Sequence, residues 1–245
     1  YPAAMKGVVL QHTDARLVDV AHDLPRQDVR TAAFWLREVL PYFPAAVHLV
    51  VVDPTVGTDR RALAIRAGEH ALVGPDNGVL RPVARELAEM DGQSGSEAFE
   101  IVGFDPASST FHGRDVFAPA AGIVHDRGID AFPADEQFAP IDDPVELRFP
   151  DATITDDGAR GEVLAVDDFG NVITNVPGEV IVDCFEESIA VNDRAVAVVR
   201  SYAHTEPGDV LVTVGSHGNV ELAVRNGRGD EAFGVAAGDR VTLSL

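Results

Sequence analysis

Apolar and polar positions change their spacing once along this chain. Between residues 8 and 141, short apolar runs at 17–21, 47–52, 62–66, 70–73 and 99–102 read as strands, and the stretches between several of them carry helical spacing. The clearest helix covers residues 28–40, with Val29, Ala32, Ala33, Leu36, Val39 and Leu40 on one side and Asp28 as its cap. A second helix starts near Asn77 and runs through Leu87. A third carries Val116, Ala120, Ile123 and Val124 and stops at Gly128. The alternation predicts an α/β domain over residues 1–141 with a Rossmann-like, mostly parallel sheet, in which the run at 47–52 is buried on both faces.

Helical spacing disappears between Phe132 and Pro150, where Pro133, Pro140, Pro144 and Pro150 stand among acids; residues 142–150 read as the interdomain connection. Beyond it, short alternating runs at 161–166, 172–176, 189–191, 196–200, 210–214, 220–224 and 240–243 are separated by turn residues. Ser216-His-Gly-Asn219 joins two of them as a hairpin. Residues 151–245 are therefore expected to form a small all-β barrel or sandwich.

Composition narrows the setting. The chain has 245 residues, 46% of them apolar, enough for one large or two modest domains. No apolar run approaches the roughly 18 residues of a membrane span, and residues 1–7 lack the charged and apolar regions of a signal peptide. The lone Cys184 forms no internal disulfide and reads as a small buried hydrophobe. Forty acids against nineteen bases give a net charge of −21, and Lys6 is the only lysine. Such a surface repels phosphates, which argues against nucleic acid as a partner. It suits a salt-rich interior, because at 1 M salt the Debye length is about 3 Å and carboxylate repulsion is screened. The expectation is the cytoplasm of an extreme halophile.

Two polar clusters carry the candidate chemistry. In Asp53-Pro-Thr-Val-Gly-Thr-Asp-Arg60, Pro54 presets a turn and Gly57 opens backbone conformations closed to other residues. Asp53 follows an apolar strand, where ligands of α/β sheets bind. Thr110-Phe-His-Gly-Arg-Asp115 opens a helix, whose free amides attract an anion. Taken singly, each cluster also has a structural reading: Asp53 as a cap of backbone amides, Arg60 as a solvated side chain, His112 as a satisfied structural histidine. Asp59 and Arg61 read as surface residues. Gly74-Pro-Asp-Asn-Gly78 reads as a turn whose Asp76 and Asn77 cap the following helix. The other histidines lack metal-ligand spacing, so no metal is expected. Dinucleotide, Walker and nucleophile-elbow signatures are missing as well. In Asp168-Phe-Gly-Asn-Val-Ile-Thr-Asn175 an aromatic face stands beside an amide that can serve both a donor and an acceptor on a base edge; a hairpin turn with Phe169 in the core is the alternative.

Read in order, Met5-Lys-Gly7, Val51-Val-Asp-Pro-Thr-Val-Gly-Thr58, Gly74-Pro-Asp-Asn-Gly-Val-Leu80, Thr110-Phe-His-Gly-Arg-Asp-Val-Phe-Ala-Pro119, Asp168-Phe-Gly-Asn-Val-Ile-Thr-Asn175 and Gly215-Ser-His-Gly218 resemble the S-adenosylmethionine (SAM) hydroxide adenosyltransferase, or SAM hydrolase, family. Its relatives include the SAM-dependent fluorinase and chlorinase. The resemblance spans nearly the whole chain. It implies an N-terminal α/β domain, a C-terminal β-barrel, and a homotrimer with SAM pockets between neighbouring subunits. It also implies hydrolysis of SAM to adenosine and L-methionine, with SAM as substrate and no cofactor.

By the same resemblance the catalytic Asp, Arg and His fall on Asp53, Arg60 and His112. The substrate-binding positions fall on Phe111, Gly113, Phe169, Asn171, Tyr202, Ser216 and Val224. Phe169, Asn171 and Tyr202 would meet adenine, Ser216 the methionine end, and the segment from Val224 to Gly227 adenine through its backbone. The fluorinase has tyrosines at the positions of Asp53 and His112, so these two residues point to water as nucleophile. It also has an extra loop for which residues 61–110 leave little room, and an arginine where His217 stands. The family's Thr-Asp-Phe-Gly-like motif, whose Asp holds the ribose hydroxyls, precedes the point at which this sequence starts. Halide transfer giving 5′-chloro-5′-deoxyadenosine, and a non-catalytic adenosine or SAM-binding module, are the competing readings.

Overall fold

The computed structural model describes every residue from Tyr1 to Leu245, in two compact units, Tyr1–Arg148 and Phe149–Leu245. The first unit runs α1 (Pro2–His12), α2 (Val29–Val39), β1 (Val47–Leu49), β2 (Ala62–Ala67), β3 (His70–Pro75), α3 (Arg81–Met90), β4 (Glu97–Ile101), α4 (Ala118–Arg127) and β5 (Phe138–Ile141). Asp28 caps α2 by accepting the Thr31 amide at 2.9 Å, and the helix buries Ala32, Ala33, Phe34 and Leu36. Helix α1 gives no periodic signal because its apolar residues are spread around it. It is held by α4 at Gly122, where a Cβ would come within 2.7 Å of His12 Cβ. The run at 17–21 is not a strand: it lies in an irregular stretch that exposes Val18 and Val20.

The sheet order is β1-β3-β2-β4-β5, and only β1–β3 is parallel. This corrects the expectation of a mostly parallel, Rossmann-like sheet. The reason is local: Gly68 and Glu69 alone connect β2 to β3, whereas a parallel crossover needs a dozen or more residues. Strand β1 is also a short edge strand in which Val47 and Leu49 are only half-buried, not a strand buried on both faces. Its path continues through Val50, whose amide donates to Val73 O at 2.9 Å, and then leaves the sheet. Strand β5 lies in the proline-rich stretch; Pro140 is tolerated because β5 is the other edge. Helix α4 packs on β1 and β3, and Phe99, Phe117, Phe132 and Phe138 fill the core there.

The second unit runs β6 (Thr153–Thr155), β7 (Gly158–Val166), β8 (Val172–Pro177), β9 (Ser188–Val191), β10 (Arg194–Val198), β11 (Val210–Val214), β12 (Asn219–Val224), α5 (Gly229–Phe233) and β13 (Arg240–Ser244). Seven strands in the order β13-β9-β10-β11-β12-β8-β7 close through β13–β7, and β6 extends β7 as a hairpin. The result is a barrel, with one parallel contact, β10–β11. At the closure Gly158 has φ +143° and a Cβ there would overlap Leu243 O, so only glycine allows the strands to meet. Alternate residues Val163, Val172, Val176, Val196, Val198, Val212, Val220, Leu222, Val241 and Leu243 fill the interior.

Candidate active site

The two polar clusters, remote in sequence, meet at one place in the first unit. The chain leaves β1 beside β3 because Gly74 admits it: a Cβ on Gly74 would stand 2.4 Å from Val50 O. Asn77, in the turn after β3, donates its side-chain N–H to Val52 O at 2.9 Å and accepts the Val79 amide at 3.1 Å. Asp53 is thereby fixed by its neighbour's carbonyl. Gly57, at φ +82°, lies so close to Ser109 O that a Cβ would approach to 2.6 Å; this brings the loop after β1 against the segment preceding His112.

Arg60 is the hub. Its Nε lies 3.0 and 3.1 Å from the two carboxylate oxygens of Asp53, and its Nη2 also donates to Asp53. Nη2 stands 3.0 Å from His112 Nδ1, and Nη1 donates to Arg61 O at 3.2 Å. The guanidinium carbon is 4.9 Å from the centroid of buried Phe117, so the cation rests on an aromatic face. Both charged side chains are sheltered, Asp53 5% and Arg60 8% exposed, where a forked charge-assisted pair has full geometric control. Because an arginine has only donors, His112 Nδ1 must supply a lone pair, and the neutral ring then carries its proton on Nε2.

His112 begins a π-helical turn, Gly113–Phe117, that continues into α4. The Ala118 amide bonds Gly113 O, and Pro119, lacking an N–H, sits in the first turn of α4. The amides of Arg114 and Asp115 both donate to Phe111 O, at 3.1 and 3.2 Å, so these two amides are not free to attract an anion as expected. Gly113 has no room for a side chain: a Cβ would lie 2.7 Å from Met5 Sδ. Phe111 carries Arg114 over its ring, 5.0 Å away, and Arg114 in turn holds the Asp115 carboxyl below the usual carboxylate range.

In the second unit Phe169, Gly170 and Asn171 form the turn between β7 and β8. Phe169 is 78% exposed, which removes the alternative that places it in the core. Asp167 accepts the Asn171 backbone N–H at 2.8 Å and its side-chain N–H at 2.9 Å. A carboxylate accepts only, so Asn171 must present its NH₂ to Asp167, and its carbonyl is left for another donor. Tyr202 lies in a 3₁₀ turn and donates its hydroxyl to Glu221. Ser216 occupies the β11–β12 turn, closed by the Gly218 amide on Gly215 O at 2.9 Å, and Val224 ends β12.

Three residues named in the sequence have other partners than expected, and two more escaped it. Asn77 does not cap α3, whose N-cap is Leu80. Asp76, the other expected cap, is buried, accepting Arg61 Nε at 2.8 Å and the Val145 amide at 2.7 Å. Arg61, expected at the surface, also holds Asp143 at 2.7 Å. Asp167 and Glu221 give no motif of their own; an acid four residues before the amide, and a lone acid in the apolar strand β12, were the available signals. No group of three or more His, Cys, Asp or Glu side chains is arranged to hold a metal ion.

Two family descriptions match the chain in order, the SAM hydroxide adenosyltransferase N-terminal domain over residues 1–131 and its C-terminal domain over residues 161–242. A protein of Salinispora tropica named (R)-S-adenosyl-L-methionine hydrolase is 41% identical, with 100% of this chain and 92% of that protein covered. A protein of the same name from Thermus thermophilus is 39% identical over 99% of this chain and 94% of its own length. The crystal structure of an uncharacterized conserved protein from Thermotoga maritima superposes with a TM-score of 0.84 at 30% identity, covering 100% of this chain and 95% of that one. With both domains matched in order and relatives aligned end to end, the chain belongs to the SAM hydroxide adenosyltransferase family.

Proposed function

We propose that this protein hydrolyses S-adenosyl-L-methionine to adenosine and L-methionine. The observation that carries this reading is the sheltered, hydrogen-bonded set Asp53, Arg60 and His112 in a chain of this family. Water attacks ribose C5′ in line with the C5′–S bond. As the C–O bond forms, the C–S pair returns to sulfur, methionine leaves as a neutral thioether, and the water surrenders a proton. A neutral leaving group needs no Lewis acid, so no cofactor is invoked and SAM is the substrate.

The lone pair of His112 is committed to Arg60, so in its neutral form the ring acts as an Nε2–H donor. That leaves the Asp53 carboxylate as proton acceptor, a contribution of roughly 10²–10⁴-fold for a positioned base. Arg60 fixes both partners and so orients the water, and orientation alone contributes several kcal/mol. Phe111 and Gly113 flank His112 and shape this part of the substrate site. Phe169 and Tyr202 are assigned to stacking on adenine, Asn171 to its hydrogen-bonding edge, Val224 to adenine contact through backbone, and Ser216 to the methionine end.

The test is incubation of the protein with each sulfonium epimer of SAM in high potassium chloride, followed by chromatography. Adenosine and methionine in equal amounts support the reading, with preference for the R epimer expected from the names of the relatives. A chlorinated nucleoside would instead establish halide transfer, and unchanged SAM with measurable binding a binding module. A homotrimer with sites between subunits is proposed on the resemblance and is checked by sedimentation. Cytoplasmic function in an extreme halophile is proposed on the net charge of −21; full stability at low salt would overturn it. No helix is long and apolar enough to cross a membrane.

A further inference from the structure

The turn after β3 holds a buried acid that the proposed chemistry leaves unused. Asp76 is 5% exposed, and both of its carboxylate oxygens are taken: Oδ2 accepts Arg61 Nε at 2.8 Å and Oδ1 the Val145 amide at 2.7 Å. Burying a carboxylate is costly unless it is paired, and this one is paired on both sides. Its own backbone N–H donates to Arg61 O at 3.0 Å. Asp76 therefore grips Arg61 at two points, carbonyl and guanidinium, and the Val145 amide stops the carboxylate from turning away. Arg61 is held from its far end as well, with Nη1 on Asp143 Oδ1 at 2.7 Å and Nη2 on Asp143 O at 2.6 Å. The segment that supplies Asp143 and Val145 is itself tied to α3, where Glu146 meets Arg81 and Arg85, and Arg85 donates to Leu147 O at 2.7 Å.

The gripped carbonyl is the one that receives Arg60. Arg61 O accepts Arg60 Nη1 at 3.2 Å, while Nε and Nη2 of the same guanidinium serve Asp53 and His112. Arg60 has little else to place its backbone: it lies between the turns after Asp53 and the first paired residue of β2, Ala62, and its amide reaches only Thr58 Oγ1 at 3.4 Å. At the other end of the same loop Asn77 donates to Val52 O at 2.9 Å. Consecutive residues of one turn thus hold both ends of the loop that carries Asp53 and Arg60. We propose that Asp76 is a positioning residue for Arg60: by fixing the carbonyl and side chain of Arg61, it keeps the Arg60 guanidinium in the orientation that reaches Asp53 and His112 together. This deepens the proposed function and rests on its assignment of Arg60 to orienting the water through those two partners. None of the hydrogen bonds of Asp76 goes to an assigned substrate position, so its effect belongs to the displacement step and not to affinity.

The experiment measures kcat for SAM, the Kd of adenosine by calorimetry, and solvent exchange of the Arg60 Nε–H in ¹⁵N-arginine-labelled protein, with that signal assigned by difference with Arg60→Lys. Wild type is compared with Asp76→Asn, Arg61→Met, Arg61→Lys and the Asp76→Asn/Arg61→Met double variant. An asparagine has one oxygen for two donors and turns its NH₂ against one of them. Asp76→Asn should therefore lower kcat about tenfold and speed Arg60 Nε–H exchange, with Kd changed by less than about threefold. Arg61→Met should do the same, and the double variant should lose no more than either single one, because both remove the same link. Arg61→Lys keeps a charged donor for Asp76 and should recover most of kcat. Wild-type kcat or wild-type exchange in a cooperatively folded Asp76→Asn, a rise in Kd without a fall in kcat, or losses that multiply in the double variant would overturn the proposal. So would Arg61→Lys no faster than Arg61→Met. If Asp76→Asn does not fold, unchanged kcat or exchange in Arg61→Met overturns it equally. Wild type that forms no adenosine from SAM would sink the proposed hydrolysis, while the exchange comparison, which needs no turnover, still decides the role of Asp76.

Discussion

Arg60 Nη2 faces His112 Nδ1 at 3.0 Å, while Nε and the same Nη2 engage Asp53. The relationship fixes the histidine's tautomer, because a guanidinium has no lone pair to offer. Long-range ¹⁵N–¹H correlation spectra of the protein with its His112 ring neutral should show a protonated Nε2 and a bare Nδ1, assigned by difference with His112→Asn. A protonated Nδ1 would refute the division of roles between Asp53 and His112.

Asp53→Asn keeps the shape of the side chain and removes the proton acceptor. Adenosine formation should fall by roughly 10²–10⁴-fold. The same change leaves Arg60 without its neutralising carboxylate, and in molar potassium chloride a chlorinated nucleoside should appear that wild type does not make. An unchanged rate of adenosine formation would remove Asp53 from the mechanism.

Asn77 touches no assigned substrate position, yet it holds Val52 O and hence the start of the Asp53 loop. Asn77→Ala should destabilise the fold by about 1 kcal/mol in urea titrations, the worth of a typical hydrogen bond. It should lower kcat about tenfold, since small misplacement of a positioned group is costly. Wild-type kcat in the destabilised variant would show that the loop keeps its place without it.

Asp167 determines which way the Asn171 amide points, leaving its carbonyl to accept from an amino group. Wild type should therefore prefer adenosine to inosine, whose 6-oxo group meets that carbonyl as a second acceptor. In Asp167→Ala the amide is free to turn, and the preference measured by calorimetry should shrink about tenfold. A ratio equal to that of wild type would detach Asp167 from base selection.

His48 and His70 lie stacked at the start of β1 and β3, with ring nitrogens 3.0 Å apart. Burial, reinforced by the neighbouring His70, pushes His48 down from 6.5 to about 4. Burial also lowers His70, against the opposing pull of Asp91 and Glu69. A lowered histidine pKa means the unfolded chain takes up protons first. The stabilisation is complete above about pH 6.5 and is lost as pH falls toward 4. Between pH 7.5 and 5, His48 should account for about 2 kcal/mol of lost stability in urea titrations at constant high salt. His48→Gln should flatten that slope; an unaltered slope would show that other groups govern it.

Elements with a clear period and a chemical boundary are legible in the residue order alone. Helix α2 was legible from its cap and apolar stripe, and most barrel strands from alternation between turn residues. Ordered motifs also singled out Asp53, Arg60 and His112, although each alone had a structural reading. Sheet direction differs from what strand composition suggests because the two-residue connection of Gly68 and Glu69 forces an antiparallel pair. Helix α1 has no stripe to read, since α4 and not periodicity holds it in place. Only the tertiary structure brought Arg60 between Asp53 and His112, set the His112 tautomer through the Arg60 N–H donor, and placed Asn77, Asp167 and Glu221 behind groups that the motifs had named. Hydrogen-bond direction depends on which partner lies within about 3 Å, and that distance is set by chain packing, which residue types along a sequence do not encode locally.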